Sequence, residues 1–361
     1  MRAQLVAATL AVGVVGCAAP QTIRPGVTPE AVKAEQHRQS LYVLEARAAD
    51  YRRIYEVTER LRWANADLCP RTEPSIGVRF ETVHDYPRDF RQAAQELWGV
   101  SERPSLTWVS PFSPAARQLM PRDVLLAVNG RAVSPGRRAS RDAFRAIRAA
   151  GRQGPVRLDF KRGEAAYYAM VEPARRCAYD FFVTDDPEAN AAADGETIAI
   201  NRGLLRVVQS TEQLALVIGH ELAHNAMGHL DAKGRNQMMG AVGGAVVDIL
   251  LGAAGANTGG AFRAAGEEAG AMMFSQAFES EADYVGLYYM QRAGYSIEGV
   301  EEFWRRMAVD HPAGIRLAYT HPTTAERFVG LSAARQEILT KQASGQPMRP
   351  TLRSDAQQAR H

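Results

Sequence analysis

Apolar residues recur at helical spacing in the first part of the chain. The recurring positions are Leu41, Leu44, Ala48, Tyr51 and Tyr55. Steps of three and four residues place them on one face of an α-helix, which needs a partner surface. Cys69-Pro70 would end this helix. The pattern therefore predicts one long helix over residues 29–68, and residues 18–70 as a tether followed by that helix.

Between residues 72 and 175 the pattern changes to short apolar runs, which are typical of β-strands. The runs are Ile76–Phe80, Leu106–Val109, Val124–Val128, Val156–Phe160 and Tyr167–Val171. Asn129-Gly130 indicates a tight hairpin, and a helix is predicted around Arg141–Ala150. Ser113–Ala116, followed by Asp123–Leu125 and then Asn129-Gly130, resembles the pattern of PDZ domains. We expect a PDZ-like domain over residues 71–176; the alternative is a small β-rich insert that only positions the rest.

From Tyr179 onward the pattern is mixed α/β, with strands predicted at Phe181–Thr184 and Thr197–Ile200 and helices afterwards. Residues 238–273 are rich in Gly, Ala and Met but fall short of the roughly 20 apolar residues that a membrane span needs. We expect helices packed closely against the functional site, or a lid. Residues 341–361 are polar and are predicted to be disordered.

The predicted fold class is therefore α+β. A mainly helical domain with a small β-sheet occupies residues 177–340, and it follows the PDZ-like β-rich domain and the long N-terminal helix. A length of 361 residues with 46% apolar residues allows two domains and a sizeable core. The net charge is only +3, and Lys and Arg are scattered, so the composition gives no support for a nucleic-acid partner.

The N-terminus resembles a bacterial export signal. Arg2 precedes the apolar run Leu5–Val15, which is too short to span a bilayer. Val14-Val15-Gly16-Cys17 resembles a lipobox, whose cysteine is lipidated and becomes the first mature residue. We predict a signal peptide over residues 1–17 and a lipid anchor at Cys17 on the periplasmic face of the outer membrane. The alternative is an ordinary secretory signal with an incidental cysteine.

Two cysteines remain after Cys17, namely Cys69 and Cys177. In an oxidising periplasm such a pair favours a disulfide. The bridge would tie together the two ends of the segment between them. Two buried free thiols are the alternative.

The chemistry is concentrated in His220-Glu221-Leu222-Ala223-His224. Ser210 and Gln213 form a capping-box signature for the helix that carries this motif. His220 and His224 are four residues apart, so they share a helical face and two imidazoles can reach one metal ion. Glu221 sits beside them, which makes the motif H-E-x-x-H. His229 lies roughly 140° from His224 on a continuous helix, and we predict that it points away and is structural.

The third ligand must come from elsewhere in the chain. Glu279 and Asp283 are also four residues apart on a segment too apolar to be a solvated helix face, whereas Glu281 is turned away from them. One carboxylate that binds the metal and a second that orients a ligand histidine are an expected combination.

Taken together, these motifs resemble the gluzincin metallopeptidases of peptidase family M48, which include the CAAX prenyl protease type. The matching stretches are Asn190-Ala191, Thr197–Ile200, His220–His224 with Gly228-His229, Glu279–Asp283 with Gly286, Ala293–Tyr295, and Thr320–Pro322 with Arg327. The resemblance implies that His220, His224 and Glu279 bind one catalytic zinc ion.

The same resemblance implies roles for several other residues. Glu221 would be the general base, and Asp283 would hold a ligand histidine. His321 and Arg327 resemble a pair near the metal, although His321-Pro322 could be only a turn. Asn190, Ala191 and Ala192 resemble a substrate-binding edge strand, to which an extended peptide would add.

The sequence thus predicts a zinc metalloendopeptidase that cleaves protein or peptide substrates in the periplasm, in envelope or outer-membrane protein quality control. Misfolded envelope proteins are the expected substrates. The alternative is a catalytically restrained chaperone or scaffold lipoprotein that binds partners through the PDZ-like domain. A membrane-embedded prenyl-type protease is disfavoured because the chain lacks clean apolar spans.

Overall fold

The computed structural model describes most of the chain. The described residues are 22, 25–254, 258–272, 275–310 and 325–353. The signal peptide with Cys17, as well as His321, lie outside the described residues, so their roles stay predictions.

A long helix, α1 (Pro29–Ala64), opens the described chain. Thr28 caps it, since its Oγ1 accepts a hydrogen bond from the Ala31 backbone N–H at 3.2 Å. The helix ends four residues earlier than predicted because Asn65 turns the chain, and its carbonyl accepts from the backbone N–H groups of Leu68 and Cys69. Its C-terminal half is the more deeply buried part and belongs to the main core.

A β-rich unit follows. Its strands and helices are β1 (Thr72–Ser75), β2 (Val78–Glu81), α2 (Arg91–Trp98), β3 (Ser105–Val109), β4 (Val124–Val128), β5 (Arg131–Ala132), α3 (Ala139–Gly151), β6 (Val156–Arg162), β7 (Ala165–Val171) and β8 (Ala174–Cys177). The main sheet is antiparallel in the order β2-β3-β4-β6-β7, with β5 paired to β4. It has its own core, built around Leu106, Leu125 and Leu158.

The predicted hairpin at Asn129-Gly130 is confirmed. Val128 pairs with Arg131 across the turn, and Asn129 and Gly130 have φ values of +47° and +76°. Two central residues with positive φ define a type I′ turn, which Asn-Gly forms with little strain. The Asn129 side chain also accepts a hydrogen bond from the Arg157 backbone N–H at 2.8 Å, which ties the turn to β6.

A two-stranded ribbon of β1 and β8 connects the β-rich unit to the rest of the chain. At its end Cys69 and Cys177 form a disulfide, with a Cα–Cα distance of 5.5 Å. A buried ion network lies beside it, in which Arg62 binds Glu59 at 2.8 Å and Glu73 at 3.1 Å. Arg148 of α3 reaches the second oxygen of Glu73 at 2.7 Å. Because unpaired buried charges are costly, this network fixes α3 relative to α1.

The C-terminal domain is mainly helical, as predicted. Its elements are β9 (Asp180–Thr184), β10 (Ala191–Ala193), β11 (Thr197–Asn201), α4 (Leu204–Val207), α5 (Thr211–Met227), α6 (His229–Ala253), α7 (Ala261–Met272), α8 (Ser275–Arg292), α9 (Glu301–Asp310) and α10 (Ala325–Ala343). The small sheet has the order β10-β11-β9, with β10 antiparallel and β9 parallel to β11. Helix α5 lies at the centre, and its residues 214–226 are all buried.

Helices α6 and α7 form a hairpin that differs from the expectation of close packing against the site. Glycines let the two backbones touch, since a Cβ on Gly240 would lie 1.9 Å from the Gly266 carbonyl oxygen. On α6 the opposite face carries exposed apolar side chains, such as Met239 at 72% and Ile249 at 70% exposure. Beyond its first turns α6 therefore packs on α7 and leaves a broad apolar face open. None of the helices in the described part of the chain is long and apolar enough to cross a bilayer.

The prediction of disorder from Lys341 is wrong up to Arg353. Helix α10 continues to Ala343, and the chain then folds back along α8. The Thr351 backbone N–H donates to the Tyr284 hydroxyl at 2.9 Å, and Arg292 donates to the Met348 carbonyl at 3.0 Å. Side chains of α8 thus supply the partners that the polar tail needs for an ordered course.

Candidate metal centre

The His220–His224 motif lies on a helix whose two ends are both capped. The Ser210 Oγ accepts from the Gln213 backbone N–H at 3.3 Å, and the Gln213 side chain accepts from the Gln209 backbone N–H at 2.8 Å. At the other end Gly228 takes the left-handed conformation with φ of +67°, which ends α5. His220 and His224 therefore lie on one face of a rigid buried helix.

Two glycines bring α8 close to this face. A Cβ on Gly219 would lie 3.2 Å from the Gly286 carbonyl oxygen, and one on Gly286 would lie 3.1 Å from the His220 backbone nitrogen. Such contacts are tight for any side chain, so Gly at both positions permits a close crossing of α5 and α8. The crossing places the Glu279 and Asp283 side chains against the two histidines.

Three buried side chains converge here. The Glu279 carboxylate lies 3.2 Å from the His220 Nε2 and 3.4 Å from the His224 Nε2. The two Nε2 atoms are 3.1 Å apart. One ligand atom from each residue lies within 4.8 Å of the others, and all three residues are buried. Two imidazole nitrogens and one carboxylate oxygen are a donor set that suits a zinc ion.

The second nitrogen of His220 is held by a buried ion pair. The Nδ1 lies 2.9 Å from the Asp283 carboxylate. Arg327 donates to both oxygens of that carboxylate, with one of the two distances at 2.8 Å. The Arg327 guanidinium stacks 4.1 Å from the centre of the Trp304 ring, an arrangement that favours a fixed cation. Burial alone raises the pKa of Asp283, but Arg327 outweighs it and holds this pKa below its usual value.

The two histidines differ in basicity. Burial lowers the pKa of both, but for His220 the hydrogen bonds to Asp283 and Glu279 outweigh burial and raise the pKa to about 9. For His224 burial prevails over the Glu279 carboxylate and lowers the pKa to about 3. Without metal the site thus favours a protonated His220 beside a neutral His224.

His229 lies at the site rather than away from it, contrary to the prediction. The prediction assumed one continuous helix, but Gly228 ends α5 and His229 begins α6. Its Nδ1 lies 2.9 Å from the Nδ1 of His224, and its Nε2 lies 2.9 Å from the Glu281 carboxylate. His229 therefore contacts the His224 nitrogen that faces away from Glu279, and Glu281 contacts His229.

The small sheet is joined to α5 by Asn225, a residue that the sequence reasoning did not single out. The Asn225 side chain accepts from the Gly195 backbone N–H at 2.7 Å and donates to the Thr197 carbonyl at 3.0 Å. Strand β10 is the edge strand of the sheet. It contains Ala191 and Ala192, and Asn190 directly precedes it. The only signal for Asn225 was its position next to His224.

The remaining predicted residues fall in two groups. Glu221 is buried on α5, with 2% exposure. Burial lowers the pKa of Arg327, but the nearby carboxylates outweigh burial and raise this pKa. Asp283 has the largest effect among them, followed by Glu279 and then Glu221. Arg327 lies at the site, but it binds Asp283. His321 lies outside the part of the chain that the structure describes, so its place near the metal stays a prediction.

Known proteins are similar to part of this chain. The beta-barrel assembly-enhancing protease of Escherichia coli (strain K12) is 30% identical over 160 residues, which is 42% of this chain and 33% of that protein. The mitochondrial metalloendopeptidase OMA1 of Schizosaccharomyces pombe is 29% identical over 155 residues, 42% of this chain and 44% of that protein. The metalloprotease LoiP of Escherichia coli is 29% identical over 154 residues, 41% of this chain and 59% of that protein. The chain thus spans about a third of the length of the first of these relatives.

A solved structure of the HtrA3 PDZ domain bound to a phage-derived ligand matches 29% of this chain and 89% of its own length, at 22% identity and a TM-score of 0.23. The PDZ-like nature of residues 71–176 and peptide binding by them stay predictions from the sequence. The model of peptidase family M48 matches residues 163–335, which include α5, α8 and the side chains that converge between them. Residues 163–335 are therefore the part of this chain that is similar to peptidase family M48.

Proposed function

We propose that His220, His224 and Glu279 hold one catalytic zinc ion and that the protein is a zinc metalloendopeptidase. The observation that carries this proposal is the convergence of the three buried side chains, whose ligand atoms lie within 4.8 Å of one another. Three protein ligands leave a fourth position open, which is the arrangement of a catalytic rather than a structural zinc site.

The other residues of the site suit peptide hydrolysis. When bound, the zinc ion would supply Lewis-acid polarisation of the scissile carbonyl group. The Glu221 carboxylate takes a proton from the attacking water molecule and passes it to the leaving amine nitrogen. Asp283 accepts the Nδ1–H of His220 and so keeps the Nε2 lone pair directed at the metal. Arg327 acts through Asp283, because its guanidinium fixes that carboxylate.

Strand β10 is a suitable place for an extended substrate. It is an edge strand, and Asn225 ties the neighbouring turn to the helix that carries the ligands. An extended peptide can pair with the backbone of Asn190, Ala191 and Ala192 as an added strand. Backbone pairing is insensitive to side-chain identity, so this mode favours unfolded protein segments over one specific sequence.

The proposed place of action is the periplasm, with Cys17 as a lipid anchor in the outer membrane. A relative is named for enhancing β-barrel assembly, so protein quality control at the envelope is the proposed role, with misfolded envelope proteins as substrates. A catalytically restrained chaperone or scaffold is less consistent with the site, because a scaffold has no need of the buried Glu221 beside the ligand pair. We place His321 near the open metal position, where it either assists the reaction or caps the resting enzyme.

The proposal is tested by cleavage of an unfolded protein. Incubation of purified protein with reduced, carboxymethylated lactalbumin should give endoproteolytic fragments. The chelator 1,10-phenanthroline should stop the reaction, and added zinc should restore it, since the proposed mechanism needs the metal. Cleavage that persists in the chelator would contradict a metal-dependent peptidase.

A further inference from the structure

We propose that His229 and Glu281 are positioning residues that fix the orientation and tautomer of His224 for the metal. This inference rests on the proposed function, because it assumes that the His224 Nε2 is a metal ligand. It assigns a role to two residues that the mechanism of hydrolysis does not use.

The geometry forms a continuous chain of hydrogen bonds. The Nδ1 atoms of His224 and His229 are 2.9 Å apart, and the His229 Nε2 lies 2.9 Å from a Glu281 oxygen. The His229 side chain is 2% exposed, whereas that of Glu281 is 51% exposed. The chain of contacts therefore runs from the buried ligand outward to a carboxylate that meets the solvent.

Packing fixes the His229 ring in this position. Its centroid lies 4.8 Å from the Phe278 ring, to which it is nearly parallel. It lies 4.9 Å from the His224 ring in an edge-on arrangement. Gly228 makes both contacts possible, because its left-handed conformation turns the chain between the two histidines. The ring is thus held on one side by an aromatic face and on the other by the ligand.

The direction of each hydrogen bond follows from the metal. A neutral histidine that binds metal through Nε2 carries its proton on Nδ1. The His224 Nδ1–H must therefore donate to His229, whose Nδ1 accepts. His229 then carries its own proton on Nε2, and that N–H donates to the Glu281 carboxylate. Glu281 selects the one tautomer of His229 that can accept from His224.

The two ligand histidines thus donate their Nδ1–H hydrogen bonds to different kinds of acceptor. His220 donates directly to the buried carboxylate of Asp283, which Arg327 fixes. His224 donates to a neutral imidazole, and the carboxylate lies one residue further out. Partners of this kind orient metal ligands, and their loss typically weakens metal binding by about 10–100-fold.

The hydrogen-bonded chain of His224, His229 and Glu281 is called the relay below. It is tested by zinc affinity, measured by competition with a chromophoric chelator on the full-length protein. We expect His229→Leu to raise the zinc Kd about 10–100-fold, because Leu cannot accept from the His224 Nδ1–H. His229→Gln, whose side-chain oxygen can accept, should restore part of the affinity. Glu281→Ala should also weaken binding, by a smaller factor, because it frees the tautomer of His229 without removing the ring. The cobalt-substituted His229→Leu variant should show altered d–d absorption.

A matched control is available in the β-rich unit. His84 pairs with Glu102 at 2.8 Å and has the same chemistry away from the metal site. His84→Leu should leave the zinc Kd unchanged. If His229→Leu does not fold, as judged by its thermal unfolding without metal, Glu281→Ala on the exposed end of the relay decides the question.

Two results separate this inference from the proposed function. If wild-type protein binds one zinc ion, His220→Ala abolishes that binding, and the His229 and Glu281 variants keep the wild-type Kd, the relay is overturned and the metal site stands. If wild-type protein binds no zinc that depends on His220, the proposed function fails and this inference fails with it.

Discussion

Glu221→Gln should abolish peptide hydrolysis while zinc stays bound. Gln has nearly the same shape as Glu but cannot accept a proton at neutral pH, so the attacking water loses its base. General acid–base groups contribute about 10²–10⁴-fold to rates, and kcat should decrease by a factor in that range. Glu221 lies outside the three-residue ligand cluster, so the metal content should not change. The measurement is kcat on a quenched fluorescent peptide, with zinc determined by inductively coupled plasma mass spectrometry.

The control for this variant lies on the same helix. Glu212 is half-buried in the first turn of α5, outside the ligand cluster, and Glu212→Gln removes the same charge without touching the site. It should retain the wild-type kcat. A Glu221→Gln protein that is folded, holds zinc and works within about threefold of the wild type would remove Glu221 from the role of base.

Glu279→Gln should release the metal. Glu279 is the one carboxylate in the ligand cluster, and it contacts the Nε2 atoms of both His220 and His224. A neutral amide is a weaker zinc ligand than a carboxylate, and loss of a direct ligand should exceed the about 10–100-fold that loss of an outer partner costs. The zinc Kd should therefore rise by more than about 100-fold, and peptide hydrolysis should fall with the occupancy.

The comparison for this variant is Glu268→Gln. Glu268 is exposed on α7, so its replacement changes the net charge equally without reaching the site. Its zinc Kd and kcat should equal those of the wild type. Retention of one zinc ion with wild-type affinity in the Glu279→Gln protein would show that another residue completes the ligand set.

The helices, strands and tight turn that follow from a local sequence pattern could be predicted from the sequence. Helical spacing on α1, the apolar runs of the sheet and the Asn129-Gly130 turn each depend on neighbours along the chain, which a sequence shows directly. The His220 and His224 pair is of the same kind, because four-residue spacing on a helix decides their shared face. Glu279 and Asp283 could be proposed for the same reason, although their distance from His220 depends on the crossing at Gly219 and Gly286.

Other parts depended on contacts that spacing does not reveal. His229 was misjudged because the prediction continued α5 through Gly228, although Gly after the last helical residue is a common helix end. The tail was misjudged because its partners, Tyr284 and Arg292, lie on α8, far away in the sequence. Residues 238–273 were expected to be helices packed closely against the site, or a lid, but Gly240 of α6 and Gly266 of α7 allow these two helices to pack closely on each other. For the tail and for α6 the deciding partners were remote in sequence, whereas Gly228 directly precedes His229 and was a local signal.

The central claim is that one zinc ion is bound by His220, His224 and Glu279. The most direct measurement is X-ray diffraction from crystals of the protein grown with zinc, at wavelengths on either side of the zinc absorption edge. We expect one anomalous peak that disappears below the edge, at about 2.0–2.2 Å from both histidine Nε2 atoms and from a Glu279 carboxylate oxygen. A peak at other residues, or no peak between α5 and α8 at saturating zinc, would contradict it.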